Sequence, residues 1–208
     1  MLFRSRILVN GTCASRGEGS WPYFLSQFID CSVINLSVAG SGNAYIHETT
    51  VNELAKRSYD IVLVMWGNSL HHGLPVNDIT KFSNSKNTSL YQSSMNDWPG
   101  KTIYPENDQD YVDKNWILNA GYLDSVNDTV SNFFRFYHSH VTYDEILKSD
   151  IIRMISLQSV LKETKQPYLF LSVRPVKKHK RYDHLYKLVD WDNFFTADSL
   201  NEIAKRTN

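Results

Sequence analysis

The sequence predicts a three-layer α/β domain around a five-stranded parallel sheet, with one large insertion after the third strand. Three observations point there. Short apolar runs alternate with amphipathic stretches over the first seventy residues, the pattern of a doubly wound sheet. Residues 59–66 are apolar at nearly every position, as in a central strand covered on both faces. The 208 residues, 42% hydrophobic and 21% charged, are enough for one domain with its own core and exclude a disordered or fibrous chain. We therefore expect a single domain over 1–208, with the insertion at 68–142 lying over the carboxyl edge of the sheet.

The elements follow in order. Residues 6–10 form an Ile-Leu-Val run that stops at Gly11, the look of a buried parallel strand. Ser20 is placed to cap a helix whose first turn tolerates Pro22, and Trp21, Phe24, Leu25 and Phe28 give that helix one apolar face. Residues 32–38 are a second strand, closed by Ala39-Gly40-Ser41-Gly42. A second helix spans 44–57, with Ile46, Val51, Leu54 and Ala55 as its inner stripe, and leads into the third strand. From Gly67 to about Tyr143 the periodicity stops. This stretch is rich in Asn, Ser, Asp, Tyr and Trp, and its apolar residues are too scattered for a separate core. Residues 143–166 are the longest helix, carrying Ile146, Leu147, Ile151, Met154, Ile155, Leu157, Val160 and Leu161. A fourth strand at 167–173 and a short fifth at 188–191 follow, and an amphipathic helical turn or two at 199–206. The predicted strand order is 2-1-3-4-5.

Composition excludes several functions. Lys plus Arg and Asp plus Glu are 22 each, a zero balance unlike that of a dedicated nucleic-acid binder. The longest apolar run, 61–66, is far below the ~20 residues of a membrane span. The first nine residues hold Arg4 and Arg6 but no apolar stretch suited to a signal peptide, so a cytoplasmic protein is expected. Cys13 and Cys31 form no cluster with histidines and are expected as thiols rather than a bridge.

Ligands of an open parallel sheet sit beyond the strands' carboxyl ends, which selects the loops 11–19, 39–43 and 67–73. None is a nucleotide fingerprint. Five residues after Gly11, Arg16 and Gly17 stand where a phosphate loop needs Gly-Lys, and Gly40-Ser41-Gly42 lacks a third glycine. No cofactor or metal is expected. His71-His72 and His138-x-His140 have no third ligand at a useful spacing, so exposed loop histidines are favoured. Glu106, Asp108, Asp110 and Asp113 lack the glycine of a calcium loop, and Lys177-Lys178-His179-Lys180-Arg181 reads as a solvated basic loop. Trp98, Tyr104, Tyr111, Trp116 and Tyr122 give the insertion an aromatic character that suits covering the sheet edge or meeting a glycan or protein partner.

The three loops resemble the ordered blocks of SGNH/GDSL hydrolases. Residues 7–17, Ile-Leu-Val-Asn-Gly-Thr-Cys-Ala-Ser-Arg-Gly, followed by Ser20-Trp21-Pro22, match the first block, which reads Gly-Asp-Ser after strand one. Residues 35–43 match the second block, with Gly40 at the glycine that lends a backbone N–H to the oxyanion hole. Trp66-Gly67-Asn68-Ser69 falls where the third has its oxyanion-hole asparagine, making Asn68 the counterpart. The Asn-Gly start and Ser-Trp-Pro are similar to SGNH-like proteins of tailed phages, a resemblance that implies a host cytoplasm or a virion as the location. The resemblance covers residues 6–70 by motif and 143–174 by architecture alone. It implies an ester hydrolase of the carbohydrate O-acetyl or small-ester class, with Cys13 in the nucleophile position. The departures are equally plain: Thr12 stands for the family's aspartate and Cys13 for its serine. No Asp-x-x-His, the block that carries the family's general base, occurs in the 208 residues. A catalytically silent SGNH-like binding or structural module is therefore the rival reading. Each residue also has a plainer role: Cys13 as a small buried side chain, Asn68 as a partner for loop backbone, Ser15 as part of a turn.

Overall fold

The computed structural model describes residues 5–12, 15, 20–29, 31–38, 41–67, 69, 72–75, 102–103, 116–119, 136–137, 139–172 and 179–196. In chain order the elements are β1 (Ser5–Asn10), α1 (Trp21–Phe28), β2 (Cys31–Asn35), α2 (Asn43–Leu54) and β3 (Ile61–Trp66). They continue with β4 (His72–Pro75), β5 (Thr102–Ile103), β6 (Trp116–Asn119), α3 (Tyr143–Glu163), β7 (Tyr168–Ser172), α4 (Asp183–Tyr186) and β8 (Phe194–Thr196).

The main sheet is parallel throughout, in the order β5-β2-β1-β3-β7-β8. Without β5, this is the expected 2-1-3-4-5 order. The sheet nevertheless has six strands, not five: Thr102 and Ile103 of the insertion pair in parallel with Val33 and Ile34 and cover the free edge of β2. The insertion also contributes β4 and β6, an antiparallel pair running from His72–Asn119 to Pro75–Trp116. The fifth predicted strand is displaced. Residues 188–191 form turns, and Phe194–Thr196 pairs with Phe170–Ser172 instead. The segment turns because Asp190 is tied down by several partners. Its carboxylate accepts from Tyr168 Oη (2.9 Å) and Asn193 Nδ2 (3.2 Å) and lies 2.6 Å from Lys162 Nζ, while its N–H donates to Gln158 Oε1 at 2.9 Å.

Side chains alternate across the sheet with the two-residue period of extended chain. Leu8, Ile34, Val62, Val64, Trp66 and Phe170 point to the face covered by α2 and α3, where Ile46, Ile151, Met154, Leu157 and Leu161 meet them. Ile7, Val9, Cys31, Val33 and Leu63 point to the other face, covered by Trp21 and Leu25 of α1. Cys31 is thus a buried core thiol. Three layers result, with the thicker core on the α2/α3 side.

Two helices depart from their predicted faces. In α1 the buried residues are Pro22 and Ser26, and Phe24 and Phe28 are 45% and 83% exposed. The inward face is turned roughly a quarter-turn from the Trp21-Phe24-Leu25-Phe28 stripe, at 3.6 residues per turn. Ser20 precedes the helix in extended conformation, but its hydroxyl caps nothing. In α2 the buried side chains are Asn43, Ile46, Thr49, Thr50 and Glu53, so the inner stripe is largely polar, with Val51 and Leu54 at its margin. Thr49 and Thr50 satisfy their hydroxyls on the carbonyls of Tyr45 and Ile46. Glu53 accepts from Tyr59 Oη and pairs with Arg57 Nε at 2.8 Å. α3 begins at the expected Tyr143 and buries six of its eight predicted apolar positions; the Thr142 hydroxyl caps it by accepting from Glu145 N–H. It also buries Asp150 and Gln158. No helix among the described residues is long and apolar enough to cross a membrane.

Candidate active site at the carboxyl edge of the sheet

β1, β2 and β3 are neighbours, so their carboxyl ends deliver three loops to one place. The first is anchored by Asn10, fully buried at the end of β1. Its Nδ2 donates toward Thr49 Oγ1 (2.8 Å), Thr50 Oγ1 (2.9 Å) and Ile46 O (3.1 Å), while Oδ1 accepts from Gly11 N–H at 2.8 Å. Gly11 then passes so close to its surroundings that a Cβ there would lie 2.6 Å from Ser15 Oγ and 3.0 Å from Met65 Cβ. Only glycine fits. Its carbonyl accepts from Ser41 Oγ (2.9 Å) and Val38 N–H (3.2 Å), which binds the second loop to the first.

The third loop closes onto both. A Cβ on Gly67 would stand 2.6 Å from Thr12 Cγ2, 3.5 Å from Asn43 Oδ1 and 3.6 Å from the Ser41 carbonyl. Asn43, at the start of α2, holds this glycine by accepting from its N–H (2.8 Å) and donating Nδ2 toward its carbonyl (3.4 Å). The same Nδ2 donates to Asp150 Oδ2 at 2.8 Å, and Arg153 Nη1 donates to Asp150 Oδ1 at 3.0 Å. The Ser69 hydroxyl completes the set around this carboxylate. Burial pushes the Asp150 carboxyl above the ordinary carboxylate range, against the opposing pull of Ser69, Asn43 and Arg153. On the outer side of the α2/α3 seam, His47 Nε2 lies 3.1 Å from Ser156 Oγ. Burial and the Arg153 charge lower its pKa.

Cys13, Gly40 and Asn68 lie outside the described residues. Their flanks, Thr12, Ser41 and Gly67 with Ser69, come together as just described. Ser15 does serve the turn. Fully buried, it donates N–H to Thr12 O and accepts at Oγ from Trp21 Nε1 (3.0 Å), and its carbonyl accepts from Asn35 Nδ2 (2.8 Å). His71, His138, Lys177, Lys178 and the acidic run 106–113 also lie outside the described residues. So do Trp98, Tyr104, Tyr111 and Tyr122, while Trp116 opens β6. His140 is exposed, its Nδ1 within 2.8 Å of Phe136 O and Ser139 Oγ. His179 and Arg181 are exposed near Asp144, at 4.0 and 3.8 Å. Among the described residues no three His, Cys, Asp or Glu side chains gather as metal ligands would.

Sequence reasoning missed Asn10, Asn43 and Asp150. One signal was present: Asp150 occupies a helical position flanked by Ile146, Leu147, Ile151 and Met154, where the period demands an apolar side chain.

No known protein family matches the chain, and no curated protein does. Among solved structures it is similar to an acetyl xylan esterase from the rumen bacterium Butyrivibrio proteoclasticus, at a TM-score of 0.41 and 9% sequence identity. The match covers 94% of this chain and 55% of that one, so the chain spans about half the length of that enzyme.

Proposed function

We propose that the chain is an SGNH-type acyl-transfer domain acting on an acetylated carbohydrate or another small ester. Cys13 holds the nucleophile position, and Gly40 N–H and the Asn68 side chain form the oxyanion hole. The observation that carries this reading is the closure of the three loops, with Gly67 against Thr12 and Ser41, and Ser41 bonded to Gly11. A nucleophile and two oxyanion donors drawn from three adjacent strands need that convergence.

The chemistry then has two unequal halves. The small fraction of Cys13 present as thiolate attacks the acyl carbonyl; the C–S bond forms, the ester C–O bond breaks, and the leaving phenolate or alkoxide takes any proton it needs from water. Water must next attack the thioester carbonyl, breaking the C–S bond to release the carboxylic acid and return the thiol, and this half needs a general base to take the water's proton. With no Asp-x-x-His in the 208 residues, acylation runs ahead of deacylation and steady turnover is weak. The rival reading, a silent module that binds a glycan or protein through the aromatic insertion, is favoured by Thr12 in the family's aspartate position.

A nitrophenyl acetate burst separates the two. One phenolate per chain, an acetyl group on the Cys13 peptide, and a burst slowed about 10²-fold in Asn68→Ala are expected. Cys13→Ser alone restores no steady turnover. Absence of a burst, or a burst indifferent to Asn68, overturns the acyl-transfer reading and leaves the binding module.

A further inference from the structure

Asp150 is only 4% exposed, on the stripe of α3 that otherwise buries Ile146, Leu147, Ile151 and Met154. A leucine there would be buried at no electrostatic cost, whereas a carboxylate must recover its lost hydration from close partners. What the carboxylate adds is direction. The Asn43 side chain is a two-sided amide: with Oδ1 toward Gly67 N–H it bonds correctly, and flipped it would aim its NH2 at another donor. An acceptor at Asp150 Oδ2, 2.8 Å from Asn43 Nδ2, permits only the first orientation. The Ser69 hydroxyl binds the same carboxylate two residues along the loop. Arg153, on the same helix, is the cation paired with it.

We propose that Asp150 is a positioning residue that orients Asn43 and holds Ser69, thereby setting Gly67 and Ser69, the two neighbours of Asn68 in sequence, for the acyl-transfer step. The inference rests on the reading that this loop carries an oxyanion donor. Asp150 itself touches no reacting atom. Its effect reaches the site through Asn43, across 107 positions of sequence.

The test uses two readouts on the 208-residue chain: amide hydrogen exchange at Gly67, referenced to Val64 in the core, and the rate of the nitrophenyl acetate burst. Asp150→Asn should speed Gly67 exchange at least tenfold and slow the burst by a similar factor, without changing the ester concentration that half-saturates it. The double variant Asn43→Asp/Asp150→Asn places the carboxylate at position 43 and the amide at 150. The bond between them is then reversed and an acceptor still faces Gly67 N–H, but the long 3.4 Å donor to the Gly67 carbonyl is lost, so both readouts should recover in part. Ser69→Ala, which removes one loop hydroxyl, should move both in the same direction by a smaller factor and serves if Asp150→Asn does not fold. Unchanged Gly67 exchange overturns the proposal, and so does faster exchange with an unchanged burst. A parent chain with no burst overturns the acyl-transfer reading and with it the functional role of Asp150. The Gly67 exchange tells the two failures apart.

Discussion

Removing the Asn10 carboxamide tests the joint between β1 and α2 on which the first site loop stands. In Asn10→Ala, Gly11 N–H loses its 2.8 Å acceptor in a fully buried place, which costs about 1–3 kcal/mol by itself. Ile46 O keeps the Thr50 hydroxyl, and Thr49 and Thr50 lose only an incoming donor, so these losses are smaller. With the small cavity added, the sum is about 2–4 kcal/mol. Asn10→Asp keeps the shape and the Gly11 acceptor but sets a buried carboxylate against three oxygens. Its carboxyl is then held above the ordinary range. For such a group the favourable contribution is complete below the unfolded value near ~3.9 and is lost as pH rises through the raised folded value. The Asn10→Asp chain should therefore be least stable, relative to the parent, at neutral pH, and the deficit should shrink on acidification. Urea denaturation at several pH values, with unchanged slope against denaturant, measures both effects. A loss under about 0.5 kcal/mol in Asn10→Ala, or a deficit in Asn10→Asp that grows in acid, would show that the carboxamide does not hold this joint.

Gly67→Ala places a methyl within 2.6 Å of Thr12 Cγ2, so either the Thr12 side chain turns away or the first and third loops separate. It should slow the acyl burst more than tenfold for about 1–3 kcal/mol of stability, and wild-type burst kinetics in the variant would contradict the packing. Asp190, held by the Lys162 ammonium, has its pKa lowered to about 2 from an ordinary 3.8. Its contribution is present above the ordinary value and lost as pH falls through about 2. Because Lys162 is more than half exposed, solvent screening limits it to about 1 kcal/mol. Asp190→Asn should flatten the fall in urea midpoint between about pH 4 and 2 relative to the parent, and parallel profiles would deny the pairing.

What the sequence showed and hid has a physical pattern. Strands buried on both faces, such as Ile61–Trp66, announce themselves because every position is apolar, and the strand order follows from short connections around them. β5 is two residues long and has no periodicity to read; only its partner Val33–Ile34 makes it a strand. Residues 188–191 have a strand's composition, but the bonds that Asp190 makes to β7 and α3 bend them out of the sheet. The apolar stripe of α1 is not its inward face, since Phe24 and Phe28 stack on each other in the open, centroids 6.4 Å apart, instead of entering the core. The polar framework of the site was least visible. Asn10 looks like a strand terminator and Asn43 like a helix start until Thr49, Thr50, Gly67 and Asp150 are brought beside them. Those partners lie 24 to 107 positions away. The three loops were legible by resemblance and by the rule that sites sit beyond strand ends. The side chains that lock them together were not.

If Cys13, Gly40 and Asn68 form one acyl-transfer site, their reacting atoms must lie within reach of a single acetyl group. A crystal structure of the chain after reaction with nitrophenyl acetate would show the S-acetyl group on Cys13. Gly40 N–H and the Asn68 side chain should both lie within about 3 Å of the acetyl oxygen, with Gly67 still bonded to Asn43. A Cys13 sulfur turned into the core, or an Asn68 side chain beyond the reach of a single small acyl group, would contradict it even with the six-stranded sheet intact.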